Sequence, residues 1–457
     1  MTTFDQTLPI VSNILDGHRD VLAALTPIVV NRDLNGRIRL IVGEELRDAA
    51  DATAPLDAIT AELAEKLGPH GFPARRADSV GPKADERPYS HRPTTNPGLL
   101  FESDIDSLLR GVAHFALPGF DGVHVVDRLA TETNWASIAP VTAGAPRIAF
   151  FSIKGGVGRS TALASSAWAL AQQGKRVLVL DLDLESPGLS SSLLPDDRRP
   201  TYGIADWLVE DLVGNGDQVF DSMVATSTLS HDGEIYVVPA HGLDPGEYIG
   251  KLGRVWMPKV SANGVKEGWS ERLRRLIDAL EQQWQPDVIL IDSRAGIDEI
   301  ASACVTDLGA NLVLLFAIDG EQTWSGYRIL FRHWRTAGVA RDIRERLQLV
   351  GAMIPEVESA DYFKGLCERG WNVFAEELYD DVPAGVAADD LWSFAESDDT
   401  APHYPWPIRW HRGFAALRSL HTRIETVDPQ EVTAVFGHLL VELAVLTDAD
   451  EGLRHDE

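Results

Sequence analysis

From residue 147 onward the chain alternates short apolar runs with segments of helical periodicity. The runs lie at 148–152, 176–180, 235–238, 288–291, 312–316 and 347–350. Near-continuous apolar strands separated by helices predict a parallel sheet covered on both faces. The spacing therefore predicts a doubly wound, mostly parallel α/β domain with helices on both faces over residues 146–446. Residues 431–446 are apolar on most sides and carry no Lys or Arg, the pattern of a docked core helix. The acidic stretch 447–457 reads as a frayed tail.

Before residue 146 the pattern is different. Apolar residues have helical spacing over 11–25, and 27–42 reads as a hairpin around Asn35-Gly36, a strong two-residue turn signal. Residues 55–67 read as helix. This predicts a small α+β module over 1–67. Six prolines punctuate the polar stretch 68–98, which reads as a linker or long exposed loop. A helix near 103–115 and a strand near 123–127 follow, taken as a continuation of the module over 99–145.

Composition narrows the setting. The 457 residues are 44% hydrophobic and 24% charged, as in ordinary globular protein. Lys+Arg is 41 and Asp+Glu 69, so the net charge is 41 − 69 = −28. Such a charge disfavours bulk nucleic acid and anionic lipid unless basic residues cluster. Cys304 and Cys367 stand alone, which argues against a disulfide framework, a zinc ribbon or a cysteine-held cluster. No apolar stretch is expected to reach the ~20 residues of a membrane span, and the N-terminus shows no signal-peptide pattern. The expectation is a cytoplasmic protein with no membrane partner.

Chemistry concentrates at Lys154-Gly155-Gly156-Val157-Gly158-Arg159-Ser160-Thr161. The segment follows a predicted strand and opens a predicted helix, the context a phosphate-binding loop requires. Glycines let backbone N–H groups converge on phosphate, and the helix N-terminus adds partial positive charge. Ser160 is placed to give its hydroxyl to Mg²⁺ and Thr161 to bond a phosphate. The bland alternative is a Gly-rich turn that only starts a helix.

The loop resembles the deviant Walker A motif, KGGxGK[ST], of the ParA/MinD family of P-loop ATPases, in a variant reading KGGVGR. Ile153 stands where the general loop has its first glycine. The resemblance implies a P-loop NTPase fold for 146–446, ATP and Mg²⁺ as cofactors, and a nucleotide-sandwich homodimer. Lys154 would be the signature lysine that reaches the partner's phosphates. Residues 155–161 would cradle the nucleotide. Arg159 takes the position of the lysine at the β- and γ-phosphates; it keeps the charge but is planar and forked. Nucleotide binding should survive that change more surely than hydrolysis, which needs groups aimed at transition-state charge.

Two further segments resemble the family's switches. The run Asp181-Leu-Asp183-Leu-Glu185-Ser-Pro-Gly188 resembles switch I. By that match Asp181 lies near the metal, Asp183 orients the attacking water, and the turn 185–188 moves with the γ-phosphate. Asp292-Ser-Arg294-Ala-Gly296 resembles switch II, with Arg294 where proline is usual. Asp292 would bind Mg²⁺ through water and Gly296 would admit the γ-phosphate. Arg294 could touch phosphate, pair with an acid or point outward; the outward reading is favoured. The family's adenine-reading Asn is absent near 349–353, and Pro383 with its backbone is the substitute candidate.

The sequence therefore points to an ATP-binding switch that dimerises, hydrolyses ATP slowly and gates a protein partner through residues 1–145. One alternative is a non-catalytic ATP-gated scaffold. Another is a DNA-partition-type ATPase, resting on Arg328, Arg332, Arg335, Arg341, Arg344 and Arg346, although a solvated face is favoured for those arginines. The aromatic stretch 403–411 packs on the domain or forms a partner groove, with packing favoured.

Overall fold

The computed structural model describes residues 2, 6–33, 36–72, 96–110, 112, 114–128, 134–260, 265–382, 391–414, 420–426 and 428–454. The hairpin residue Asn35, most of the Pro-rich stretch and Pro383 lie outside these. The chain divides into two compact units, Met1–Thr131 and Glu132–Glu457.

In the first unit the described residues form a five-stranded sheet. Its strands are β1 (Ile28–Arg32), β2 (Ile38–Gly43), β3 (Leu99–Glu102), β4 (Phe115–Ala116) and β5 (Val123–Asp127), in the order β3-β2-β1-β5-β4. The 27–42 hairpin forms, with Val30 opposite Leu40. The helical stretch at 11–25 is two helices, Thr7–Asp16 and Arg19–Leu25. The region expected to be helical at 103–115 instead holds a short helix, Ile105–Arg110, before β4. Strands β3 and β5 add to the same sheet as β1 and β2, so residues 99–127 complete the first module. Apolar side chains of the Thr7–Asp16 and Ala50–Leu67 helices pack on Ile28, Val30, Leu40 and Val125.

In the second unit the described residues form an eight-stranded sheet. The strands are β6 (Arg147–Ser152), β7 (Arg176–Asp181), β8 (Ala225–Thr226), β9 (Glu234–Val238), β12 (Val288–Ala295), β13 (Leu312–Ala317), β14 (Leu347–Ile354) and β15 (Trp406–Arg409); β10 (Lys259–Val260) and β11 (Lys266–Glu267) form a separate hairpin. The order is β15-β14-β13-β6-β12-β7-β9-β8, parallel except for β8. All six apolar runs are strands, and their apolar residues other than the half-buried Tyr236 are buried because helices cover both faces. The period-2 alternation is explicit in β6: Ile148 and Phe150 enter one core with the helix Arg159–Gln172, and Ala149 and Phe151 enter the other with Trp324 and Phe331.

Three boundaries differ from the sequence reading. The unit begins near residue 132 rather than 146, because Trp135 packs between Phe151 and Trp334 and accepts a hydrogen bond from the Trp334 indole at 2.9 Å. The acidic tail is helical through Arg454, as part of the helix Pro429–Arg454. Its segment Pro429–Asp448 is long and apolar enough to cross a bilayer, contrary to the expectation that no stretch would be. Here Val432, Val435, Phe436, Leu439 and Leu443 of that helix are buried in the sheet's core, as the docked reading requires. The 403–411 stretch supplies β15, an edge strand where proline is tolerated.

Candidate functional site

The Gly-rich loop follows the carboxyl end of β6. Chain connections leave β6 toward β7 on one side and run from β13 toward β15 on the other, so the loop stands where the winding reverses. Gly156 and Gly158 hold φ of 75° and 82°, a region that L side chains rarely adopt, and Gly158 caps the helix Arg159–Gln172. Lys154 and Gly155 are exposed, Thr161 is half-buried, and Val157 is buried in the core as the loop's anchor.

Two loop side chains converge on Asp292, where the regular pairing of β12 with β6 stops. Arg159 Nε donates to Asp292 Oδ1 at 2.7 Å, and Ser160 Oγ donates to Asp292 Oδ2 at 2.7 Å. Arg159 also donates to Ser152 Oγ at 3.0 Å and, through Nη2, to Asp183 Oδ2 at 3.4 Å. Its side chain is only 7% exposed and that of Asp292 1%. Burial opposes the Arg159 charge, but Asp292 and Asp183 outweigh it and hold the guanidinium above its ordinary pKa.

Asp181 faces Asp292 in register across β7 and β12. It is fully buried. Burial, helped by the charge of Asp292, pushes its carboxyl up to about 7 against two hydrogen bonds from Ser190. Its other oxygen, Oδ1, has no hydrogen-bond partner among the described residues. Burial also raises Asp183, with Arg159 pulling the other way. Leu182 N–H donates to the Asp292 carbonyl, which fixes the start of the 182–188 turn.

This oxygen set suits a hard divalent cation: a hydroxyl and a carboxylate in contact, with an orphaned carboxylate oxygen on the adjacent strand. Among the described residues no group of three or more His, Cys, Asp or Glu is placed to hold a metal unaided. Phosphate oxygens and water would have to complete the shell, as is usual for Mg²⁺.

Gly296 has φ 102° and donates its N–H to the Ser152 carbonyl at 2.9 Å. Arg294 does not point outward as favoured from the sequence. It pairs with Glu185 at 2.7 Å and with Asp298 at 3.4 Å. Pro383 lies outside the described residues. The strand beside β14 is β15, so the chain leaving the sheet next to residues 351–354 is 410–412.

Sequence reasoning missed Ser152, Ser190 and Tyr248. Tyr248 donates to the Leu184 carbonyl at 2.7 Å and so holds the 182–188 turn. A serine closing an otherwise apolar strand was a readable signal for Ser152; nothing local marked the other two.

Five of the six clustered arginines pair with acids, and of these only Arg344 is buried. Arg328 pairs with Glu376, Arg332 and Arg335 with the buried Glu377, and Arg341 and Arg344 with Asp380. Arg346 donates to the Ala139 carbonyl.

The chain is 46% identical over 54 residues to the iron-sulfur cluster carrier protein of Salmonella typhimurium, a match covering 12% of this chain and 15% of that one. Among solved structures it is similar to pNOB8 ParA bound to nonspecific DNA, at 17% identity and a TM-score of 0.40, over 68% of this chain and all of that one. It is also similar to the septum site-determining protein MinD of Pyrococcus horikoshii OT3, complexed with Mg-ADP, at 19% identity and a TM-score of 0.40, over 67% and 98% of the two chains. Residues 148–396, more than half of the chain, match the model of the CobQ/CobB/MinD/ParA nucleotide binding domain, and the chain belongs to that family.

Proposed function

We propose that the second unit is an ATP- and Mg²⁺-dependent switch that closes as a nucleotide-sandwich homodimer and hydrolyses ATP slowly. The observation that carries this is the convergence of Arg159 and Ser160 on Asp292, which joins loop and strand-end carboxylate in one site. The N–H groups of residues 155–161 bind phosphate. Ser160, Asp181 and Asp292 would hold Mg²⁺, which neutralises phosphate charge and orients the terminal group. Asp183 orients the attacking water. Lys154, exposed at the loop, completes the partner's site. Closure gates what the first unit binds, in a cytoplasmic setting.

The test is phosphate release from Mg-ATP across a range of protein concentrations. A rate per protomer that climbs with concentration supports the dimer, and Lys154→Ala should abolish ATP-driven dimerisation. An unchanged mass with ATP sinks the sandwich.

One observation favours a second reading, a non-catalytic ATP-gated scaffold. The Arg159 guanidinium bridges Asp292 and Asp183, so the group expected to orient water is partly neutralised by a side chain. Arg159→Lys separates the readings: a large gain in turnover marks a degenerate site, and a loss marks arginine as adapted. A DNA-partition role draws no support from the arginine cluster, whose side chains are engaged.

A further inference from the structure

We infer that Arg294 is a positioning residue: through Glu185 it ties together the two chain segments that flank the phosphate site, so that they respond to nucleotide as one. This rests on the proposed ATP site and goes beyond it.

The geometry begins with β12. Its pairing with β6 is regular through Asp292, then shifts before Ala295. Residues 293 and 294 fall in that irregularity, where a strand re-aims its side chains. From there Arg294 Nη1 lies 2.7 Å from Glu185 Oε2 and 3.4 Å from Asp298 Oδ2. Asp298 is itself fixed, because its side chain caps the helix Glu299–Ser302 by accepting from Ala301 N–H at 2.9 Å. Arg294 is thus held at its own end of the site and reaches across to the other.

Glu185 is exposed in the 182–188 turn, directly after the buried Leu184. Leu184 is tied by Tyr248 and Ser186 N–H bonds back to Asp183. Glu185 is two residues beyond Asp183, and Arg294 is two residues before Gly296. The pair therefore joins the neighbour of the group assigned to the attacking water to the neighbour of the group assigned to the terminal phosphate. Both side chains are partly solvated, at 33% and 45% exposure, so the link is weak enough to open and close. A pair of this kind shifts an equilibrium by a factor of up to about five. Proline at residue 294 could make no such link.

The test is a double-mutant cycle in the full-length chain with Arg294→Gln, Glu185→Gln and the double variant. Affinities for Mg-ADP and for a non-hydrolysable Mg-ATP analogue are measured at low and high salt. Each single variant should lower analogue affinity about two- to fivefold and leave ADP affinity unchanged. The double should lose no more than either single, and Arg294→Lys should recover part of the loss. High salt should erase the difference between wild type and variants. Hydrogen exchange should show analogue-induced protection of 184–188 lost in Arg294→Gln while that of 155–161 persists.

Additive singles, or equal losses for both nucleotides, overturn the positioning role and leave the ATP site standing. A wild-type protein that binds neither nucleotide overturns the proposed function and this role together.

Discussion

Arg159 and Asp292 form a buried ion pair, 2.7 Å from Nε to Oδ1, and the same guanidinium links the loop to Ser152 at the end of β6 and to Asp183 just beyond β7. The fork of the guanidinium matters. Nε engages Asp292, one terminal nitrogen engages Ser152 and the other faces Asp183. An ammonium is a compact point charge and cannot span the three. Arg159→Lys should therefore cost about 1.5–3 kcal/mol, the worth of a hydrogen bond to a charged group. Arg159→Ala strands a buried carboxylate and should cost about 3–5 kcal/mol. Urea denaturation of the two variants checks both, and an Arg159→Lys variant as stable as wild type would show that the fork carries no weight.

The interior of this site was only half legible in the sequence. Each apolar run became a strand because covering both faces of a parallel sheet demands continuous hydrophobicity, and that demand leaves a one-dimensional trace. The carboxylates at 181, 183 and 292 were legible for a related reason, since strand ends are where such sheets place polar groups. β15 was illegible because Trp406-Pro407 looks like loop and is tolerated only at an edge. The direction of Arg294 and the partners of the arginine cluster were illegible because they come from chain segments brought together by folding. Glu376, Glu377 and Asp380 lie on or just beyond the helix Ser359–Glu377, well after the arginines they neutralise.

Ile153 replaces the first loop glycine, and its contact with Gly326 explains what that position now does. A Cβ on Gly326 would sit 2.4 Å from the Ile153 Cγ2, closer than any real contact. The helix Glu321–Ala337 thus presses on the loop at a glycine. Gly326→Ala should cost about 1–3 kcal/mol as overpacking. Because Ile153 adjoins Lys154, it should also weaken nucleotide binding. Adding Ile153→Ala should return most of both losses. Thermal melts and nucleotide titration of the three variants check this, and an uncorrected double variant refutes it.

Asp307 gives the protein a pH dependence away from the nucleotide. Burial raises its carboxyl to about 6 from 3.8, against hydrogen bonds from Thr306 and Ser270. The folded chain thus holds a proton there that the unfolded chain releases between about pH 4 and 6. Where the native state binds more protons, stability falls as pH rises. The stabilisation is present below about pH 4 and is lost through pH 6. A shift of two units bounds the effect at roughly 3 kcal/mol. Denaturation at pH 5 and pH 7 should show wild type losing ground to Asp307→Asn as pH rises. Parallel behaviour of the two would remove Asp307 as the cause.

Gly156 separates a phosphate cradle from a turn that merely starts a helix. Its φ of 75° penalises any side chain, yet nothing lies within 4 Å of where a Cβ would stand. Gly156→Ala therefore pays for backbone conformation alone, about 1–2 kcal/mol. If the loop were only a helix start, that modest destabilisation would be the whole effect. If its N–H groups converge on phosphate, the methyl group also intrudes where the backbone must approach the ligand. Affinity for Mg-ATP should then fall by more than tenfold, a loss of at least about 1.4 kcal/mol in binding on top of the loss in folding. Calorimetric titration beside a urea melt reads the two separately. A variant that is destabilised but binds nucleotide as tightly as wild type would return the loop to the plainer reading.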